Sequence, residues 1–285
     1  MDIFSSEKLS DHVTRIIEIT GTYMYLVEGT DRALLVDTGC GIGNLKEYVN
    51  AITQKPLTIV CTHGHMDHSG GTQVFDEVFL NKADWELSPV HGSLENRKSY
   101  IRMTVNALHP EITQQEIEDL ELCQTRKDGY RELTDQMIFD LGGIHVKALA
   151  MPGHTPGSMC MLFEEERMIL FGDACTPSEF LFDTEAGFVE DYKKMLLEFK
   201  KYEPFYDKVL LSHGPCIDWP KELLAQTVDV CDEIMASADD KAEFHFFMGG
   251  VYRAAHEMLP NNMRKDGGLA NIIYNPKKIF RHKTH

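Results

Sequence analysis

Leu57-Thr58-Ile59-Val60-Cys61-Thr62-His63-Gly64-His65-Met66-Asp67-His68-Ser69-Gly70-Gly71 passes from a short apolar strand straight into a polar turn. Residues 63–68 of that turn hold three imidazoles and one carboxylate, the groups that Zn2+ and similar cations accept as ligands. A merely solvated loop has no need of four ligand-type residues in six positions. Because the turn follows a strand, it belongs at a sheet's C-terminal edge, where open α/β sheets bind their ligands. So short a loop cannot enclose two ions, and further ligands must come from elsewhere in the chain.

Three later strand ends offer them. His154 lies in Pro152-Gly153-His154-Thr155-Pro156-Gly157, Asp173 in Phe171-Gly172-Asp173, and His213 in Leu211-Ser212-His213-Gly214. Glycine or proline beside each lets the backbone turn sharply at the sheet edge. A single strand-end histidine or aspartate is ordinarily just a satisfied polar residue. Together with the first cluster, these share one edge.

Outward from these positions the chain reads as two strand-helix-strand halves. Residues 14–19, 23–28, 32–37 and 57–61 are strand-like, and residues 44–52 form a helix. Residues 137–140, 144–150, 159–164 and 167–171 are strands again, followed by a helix over 191–202, a strand over 208–212 and a helix from Pro220. Residues 82–131 separate the halves as a charged, strand-free insertion, which Pro89, Pro110 and Gly129 break into three helices. Two facing sheets with helices outside, a four-layer αββα sandwich of the α/β class, is the simplest packing of such halves. Residues 1–285 then form one domain, with a C-terminal extension over 237–285. From Leu259 that extension carries six lysines and arginines against Asp266 alone and reads as a solvated tail.

Bulk properties narrow the partners. A formal charge of -17 repels phosphate backbones, so nucleic acid is not an expected partner. No stretch of about 18 apolar residues exists to span a membrane, and the polar start lacks a signal-peptide pattern. Seven cysteines without a pairing pattern fit buried thiols in a reducing cytoplasm. A small molecule is the expected partner, with a homodimer left open.

Taken in order, Asp37 in Asp37-Thr38-Gly39, the 63–68 cluster, His154, Asp173 and His213 resemble the metallo-β-lactamase fold superfamily in its glyoxalase II and lactonase-like branch. The likeness covers residues 14–235. It implies one ion on His63, His65 and His154, a second on Asp67, His68 and His213, and Asp173 bridging both. Asp37 would hold the histidine turn without touching metal. Two divalent ions are implied, zinc foremost, with manganese or iron as alternatives. One class of β-lactamases has cysteine where Asp173 stands, which argues against antibiotic hydrolysis. Flavodiiron proteins place glutamate at the position of His65. Lactonase-like relatives have a tyrosine that donates to the substrate carbonyl, and Tyr192, nineteen positions after Asp173, is the candidate here, with a plain packing or surface role as the alternative.

The implied chemistry is hydrolysis by a water activated between two ions, with Asp67 and Asp173 among the catalytic groups. A small ester, lactone or thioester is the expected substrate. Phosphodiester hydrolysis and non-catalytic metal binding are the alternatives. Cys61, Cys175 and Cys216 lie near proposed ligands but read as buried small hydrophobes. His91 and His109 read as structural, with a place at the pocket wall still open to them.

Overall fold

The computed structural model describes residues 2–246 and 249–281; Lys283, counted above in the basic tail, lies outside them. Its first sheet contains β1 (Phe4–Lys8), β2 (Val13–Glu18), β3 (Tyr23–Glu28), β4 (Ala33–Val36), β5 (Leu57–Val60), β6 (Val78–Leu80) and β7 (Arg131–Glu132), in that spatial order. The second contains β8 (Ile138–Asp140), β9 (His145–Ala150), β10 (Met159–Phe163), β11 (Met168–Gly172) and β13 (Lys208–Leu211). A third sheet joins β12 (Ser178–Leu181), β16 (Asn271–Tyr274), β15 (Val251–Ala254) and β14 (Ala242–His245). The helices are α1 (Leu45–Ile52), α2 (Met66–Ser69), α3 (Leu87–His91), α4 (Leu94–Leu108), α5 (Gln114–Glu118), α6 (Val189–Phe199) and α7 (Glu222–Met235).

The four-layer arrangement follows from strands that are apolar on both faces. On β3, β4 and β5, Tyr25, Val27, Leu34, Val36 and Val60 turn inward to meet Val146, Ala148, Met161, Phe163, Met168 and Leu170 of the second sheet. Their neighbours Met24, Leu26, Ala33, Leu35 and Ile59 turn outward against Leu45 and Val49 of α1. Cys160, Leu162, Ile169 and Phe171 face the other way, onto α6 and α7. Side chains that alternate every two residues thus feed two cores from each strand. Among the described residues, no helix is long and apolar enough to cross a membrane.

The insertion contains the three short helices α3, α4 and α5, but its boundaries differ from the expectation. Pro89 lies inside α3 rather than between helices, in a first turn where its missing N–H forfeits no helical bond. Arg131 belongs to β7, which pairs with β6. Arg97 of α4 is fully buried and donates to the carbonyls of Cys40, Gly70, Gly92 and Cys123, fastening the insertion above the histidine turn.

The solvated-tail expectation for residues after Leu259 is corrected. Asn271–Tyr274 is buried along its length and pairs in parallel with β12. Ile272 and Tyr274 turn toward α7, so the tail contributes core rather than a charged arm. β1 was likewise missed, its Ser-Ser-Glu-Lys sequence belonging to a polar edge strand.

Two buried carboxylates brace the site's loops. Asp84, fully buried, accepts from Gly64 N (2.9 Å), Gly157 N (2.8 Å) and Thr155 Oγ1 (2.7 Å), so one side chain ties the histidine turn to the His154 loop. Asp84→Ala orphans two buried N–H groups and is expected to cost about 2–5 kcal/mol in urea unfolding; a loss within about 0.5 kcal/mol would contradict this clasp.

Glu18 accepts from Thr20 Oγ1 (2.5 Å) and Cys40 N (3.0 Å) beneath the Asp37 loop. Burial raises its carboxyl to about 7, against the lowering effect of those donors. The folded chain therefore holds this proton more tightly than the unfolded one. The resulting stability is complete below about pH 4.5 and is lost as pH rises through about 7. In the metal-free protein, Glu18→Gln should gain on the wild type by on the order of 2–3 kcal/mol between pH 5 and 8. Parallel stability curves for the two proteins would count against it.

Candidate metal centre

Each proposed ligand comes from the end of a strand or the turn after it. The backbone leaves β4 through Asp37, which adopts a left-handed φ of 67°. Its carboxylate accepts from Thr62 N (2.7 Å) and Thr62 Oγ1 (2.9 Å) and faces His68 Nδ1 at 2.9 Å. The chain then turns through α2 to Gly70 at its C-terminal end, where a Cβ would come within 2.3 Å of the Met66 carbonyl and 2.7 Å of the Cys40 backbone. Only glycine allows that approach. Across the sandwich, Gly172 at φ 61° ends β11 and releases Asp173. Met159 N donates to Thr62 O (2.9 Å), and Tyr25 Oη donates to Leu211 O (2.6 Å). These bonds hold the ends of the two sheets at one rim.

At that rim the structure brings together all seven proposed ligands. Ligand atoms of His63, His65 and His154 lie within 4.8 Å of one another, as do those of Asp67, His68 and His213. His154 Nε2 stands 3.0 Å from His65 Nδ1. Asp173 lies between the groups, its Oδ2 being 3.4 Å from His68 Nε2 and 3.5 Å from His213 Nε2. His213 Nε2 is 3.2 Å from Asp67 Oδ2.

The fit to cations can be tested on atoms that nothing in the protein satisfies. His63 Nε2, His68 Nε2 and Asp173 Oδ1 are buried without a hydrogen-bond partner. Meanwhile the opposite nitrogens are occupied: His63 Nδ1 by Thr62 Oγ1 (3.1 Å), His68 Nδ1 by Asp37, His65 Nε2 by Glu185 (3.0 Å) and His154 Nδ1 by Phe180 O (3.1 Å). Outer partners of this kind orient imidazoles toward a metal and fix which nitrogen is free. Imidazole and carboxylate donors without thiolate suit zinc, manganese or iron.

The electrostatics follow from crowding. Burial and then the surrounding imidazoles hold His63 well below the usual imidazole range, while burial and then His91 lower His65 to about 3. Burial opposes ionisation of Asp67 and Asp173, yet His68 and His213 keep both below the carboxylate range. Burial also works against a charged His213, but Asp173 and Asp67 raise it to about 10. Cations would take the place of such protons, so binding them releases protons. His213 is one-third exposed while His63 and His68 are sealed, so the centre opens on the His213 side.

Tyr192 is not in this site. Its side chain is 1% exposed, its hydroxyl donates to Ala174 O (2.7 Å), and its ring packs beneath Gly153. The residue belongs to the apolar stripe Val189, Tyr192, Leu196 and Phe199 of α6, so the catalytic role assigned to it is corrected to packing. Cys61 and Cys175 are buried thiols pushed up by burial, whereas Cys216 is exposed rather than buried. His109 bonds Ile19 O away from the centre.

Several neighbours of the centre carried no sequence signal. Tyr100 of α4 donates to Asp67 Oδ2 (2.9 Å). His91 is different, since the sequence left it a place at the pocket wall; it stacks on His65 at 4.1 Å and accepts Met66 N–H at Nδ1 (3.1 Å). Glu179 lies 3.4 Å from His154 Nδ1 and, after the opposing effect of burial, raises that imidazole to about 9.

Comparison with known proteins gives the family of the chain. A family model described as Metallo-beta-lactamase superfamily matches residues 18–214. Human acyl-coenzyme A thioesterase MBLAC2 is 30% identical over 173 residues, covering 52% of this chain and 56% of its own. An atrochrysone carboxyl ACP thioesterase of Aspergillus fumigatus is 23% identical over 240 residues, covering 80% and 64%. The matches thus span less than two thirds of those relatives. Among solved structures, the sec-alkylsulfatase Pisa1 of Pseudomonas sp. superposes with a TM-score of 0.62 at 14% identity, over 82% of this chain and 42% of that one. A metallo beta lactamase from Erythrobacter litoralis reaches 0.56 at 17% identity, over 82% and 98%. At such identities these two show the shared fold alone. The family match extends over the ligand-bearing strands of both sheets, and this chain belongs to the metallo-beta-lactamase superfamily.

Proposed function

We propose that this protein is a dinuclear metal-dependent hydrolase acting on acyl thioesters. The observation that carries the reading is the convergence of seven ligand-type side chains at one rim, three of them presenting a buried atom with no hydrogen-bond partner. The bond type follows the two thioesterases among its relatives. His63, His65 and His154 would hold one divalent ion, and Asp67, His68 and His213 the other, with Asp173 shared. Ions bound there supply an acidified water and positive charge for the oxygen of a reacting carbonyl.

The chain's own residues do the rest. Asp67, steadied through Oδ2 by Tyr100, orients the attacking water and helps move its proton while remaining a ligand. Asp37 and Thr62 keep the turn from rotating as charge shifts. His63 is sealed from bulk water, leaving approach past His213. A thioester loses its thiolate without needing a strong protein acid, which suits a site whose free groups are mainly ligands. The substrate is a small molecule, and the -17 charge speaks against nucleic acid.

Protein loaded with zinc or manganese should hydrolyse acyl thioesters. Asp173→Ala and His154→Ala should each lose bound metal and about 10^3-fold in kcat/KM while remaining folded, since several kcal/mol of charge stabilisation disappear. Turnover of bis-p-nitrophenyl phosphate with no action on thioesters would overturn the thioester reading. Unchanged turnover in either variant would overturn the centre itself.

A further inference from the structure

Residues after 214 lie outside the family match, yet they fold back onto the site. Parallel pairing of β12 with β16, from Ser178↔Asn271 to Leu181↔Tyr274, sends the two chains forward side by side. After β12 comes the loop over residues 183–187, which has no helix or strand of its own. After β16, Asn275 accepts from Lys277 N (3.0 Å) and caps a short turn at Pro276–Lys278. That turn delivers Lys278 to the neighbouring loop. Its ammonium donates to the carbonyls of Asp183 (2.7 Å), Thr184 (2.7 Å) and Ala186 (2.8 Å). Three donors meet three acceptors, which is the full capacity of a lysine.

The residue bracketed by those carbonyls is Glu185. Its carboxylate lies 3.0 Å from His65 Nε2, leaving His65 Nδ1 as the nitrogen that faces His154. On the loop's other side, Gly187 N donates to Gly153 O (2.7 Å) beside the His154 turn. An acceptor at Nε2 keeps the proton on that nitrogen and the lone pair on Nδ1. If the loop is released, His65 Nε2 loses its acceptor and the ring keeps only the contact of Nδ1 with His154 Nε2 to orient it.

We propose that Lys278 is a positioning residue for the metal centre. It fixes the backbone around Glu185, Glu185 fixes His65, and the C-terminal arm thereby sets how tightly the His63–His65–His154 site holds its cation. The inference rests on reading those three histidines as an ion site.

Stepwise Zn2+ affinities, measured by chelator competition, test it in the full-length wild type, Lys278→Met, Glu185→Ala and the double variant. Glu185→Ala should weaken one ion about 10–100-fold and Lys278→Met about tenfold, with the other ion changed by less than about threefold. The double variant should bind no more weakly than Glu185→Ala, because Lys278 acts through Glu185. Glu185→Gln, whose amide oxygen still accepts from Nε2–H, should restore most of the loss. In the metal-free protein, the Nε2–H of His65 should give 1H and 15N shifts of a strong hydrogen bond to a carboxylate in the wild type and of a weaker, exchanging one in Lys278→Met. If Lys278→Met does not fold, Lys278→Gln, which keeps two donors, carries the same comparison. Additive losses in the double variant, equal weakening of both ions, or an unmoved His65 Nε2–H signal would overturn the proposal. A wild type that binds no cation would instead contradict the centre described above, and the Nε2–H measurement would still judge Lys278.

Discussion

Three buried atoms that make no hydrogen bond within the protein, His63 Nε2, His68 Nε2 and Asp173 Oδ1, set the terms for the rest of the molecule. Leaving such a group unpaired costs about 1–3 kcal/mol, and here three are concentrated in one place. Two cations would turn that liability into binding energy, and that energy would then support the folded state. Asp67 and Asp173 contribute the negative charge that imidazoles alone cannot.

An arrangement so unfavourable when empty must be enforced from outside. The enforcement runs through the nitrogens and backbone groups turned away from the centre. Asp37 accepts the strain of a left-handed backbone at the end of β4 and in return locks Thr62 and His68. Asp84 joins loops from opposite sheets, and Arg97 pins the insertion to the backbone at Cys40 and Gly70. Glu185 and Phe180, from the segment that pairs with the C-terminal arm, turn His65 and His154. The centre therefore depends on parts of the chain well beyond its ligands.

How much of this was legible beforehand depended on whether the information was local. The strand-end ligands could be read because each sits in a short run with its own glycine or proline, directly after an apolar strand. The two-sheet core was legible for a related reason: strands buried on both faces show as continuous apolar runs. Tyr192 was misassigned because distance along the chain from Asp173 says nothing about which helical face it occupies. The apolar stripe of α6 did say so. β16 was hidden because Asn-Ile-Ile-Tyr is only four residues long between polar and basic flanks, and its burial comes from partners far away in sequence. Asp84, Glu185 and Lys278 gave no warning, since their partners are backbone groups, one hydroxyl or a single imidazole 20 to 120 positions distant.

Anomalous diffraction at the zinc edge from crystals of the zinc-loaded protein tests the central claim most directly. The account predicts two peaks per chain, one among His63, His65 and His154 and one among Asp67, His68 and His213, with Asp173 touching both. A single peak elsewhere, or none, would contradict it.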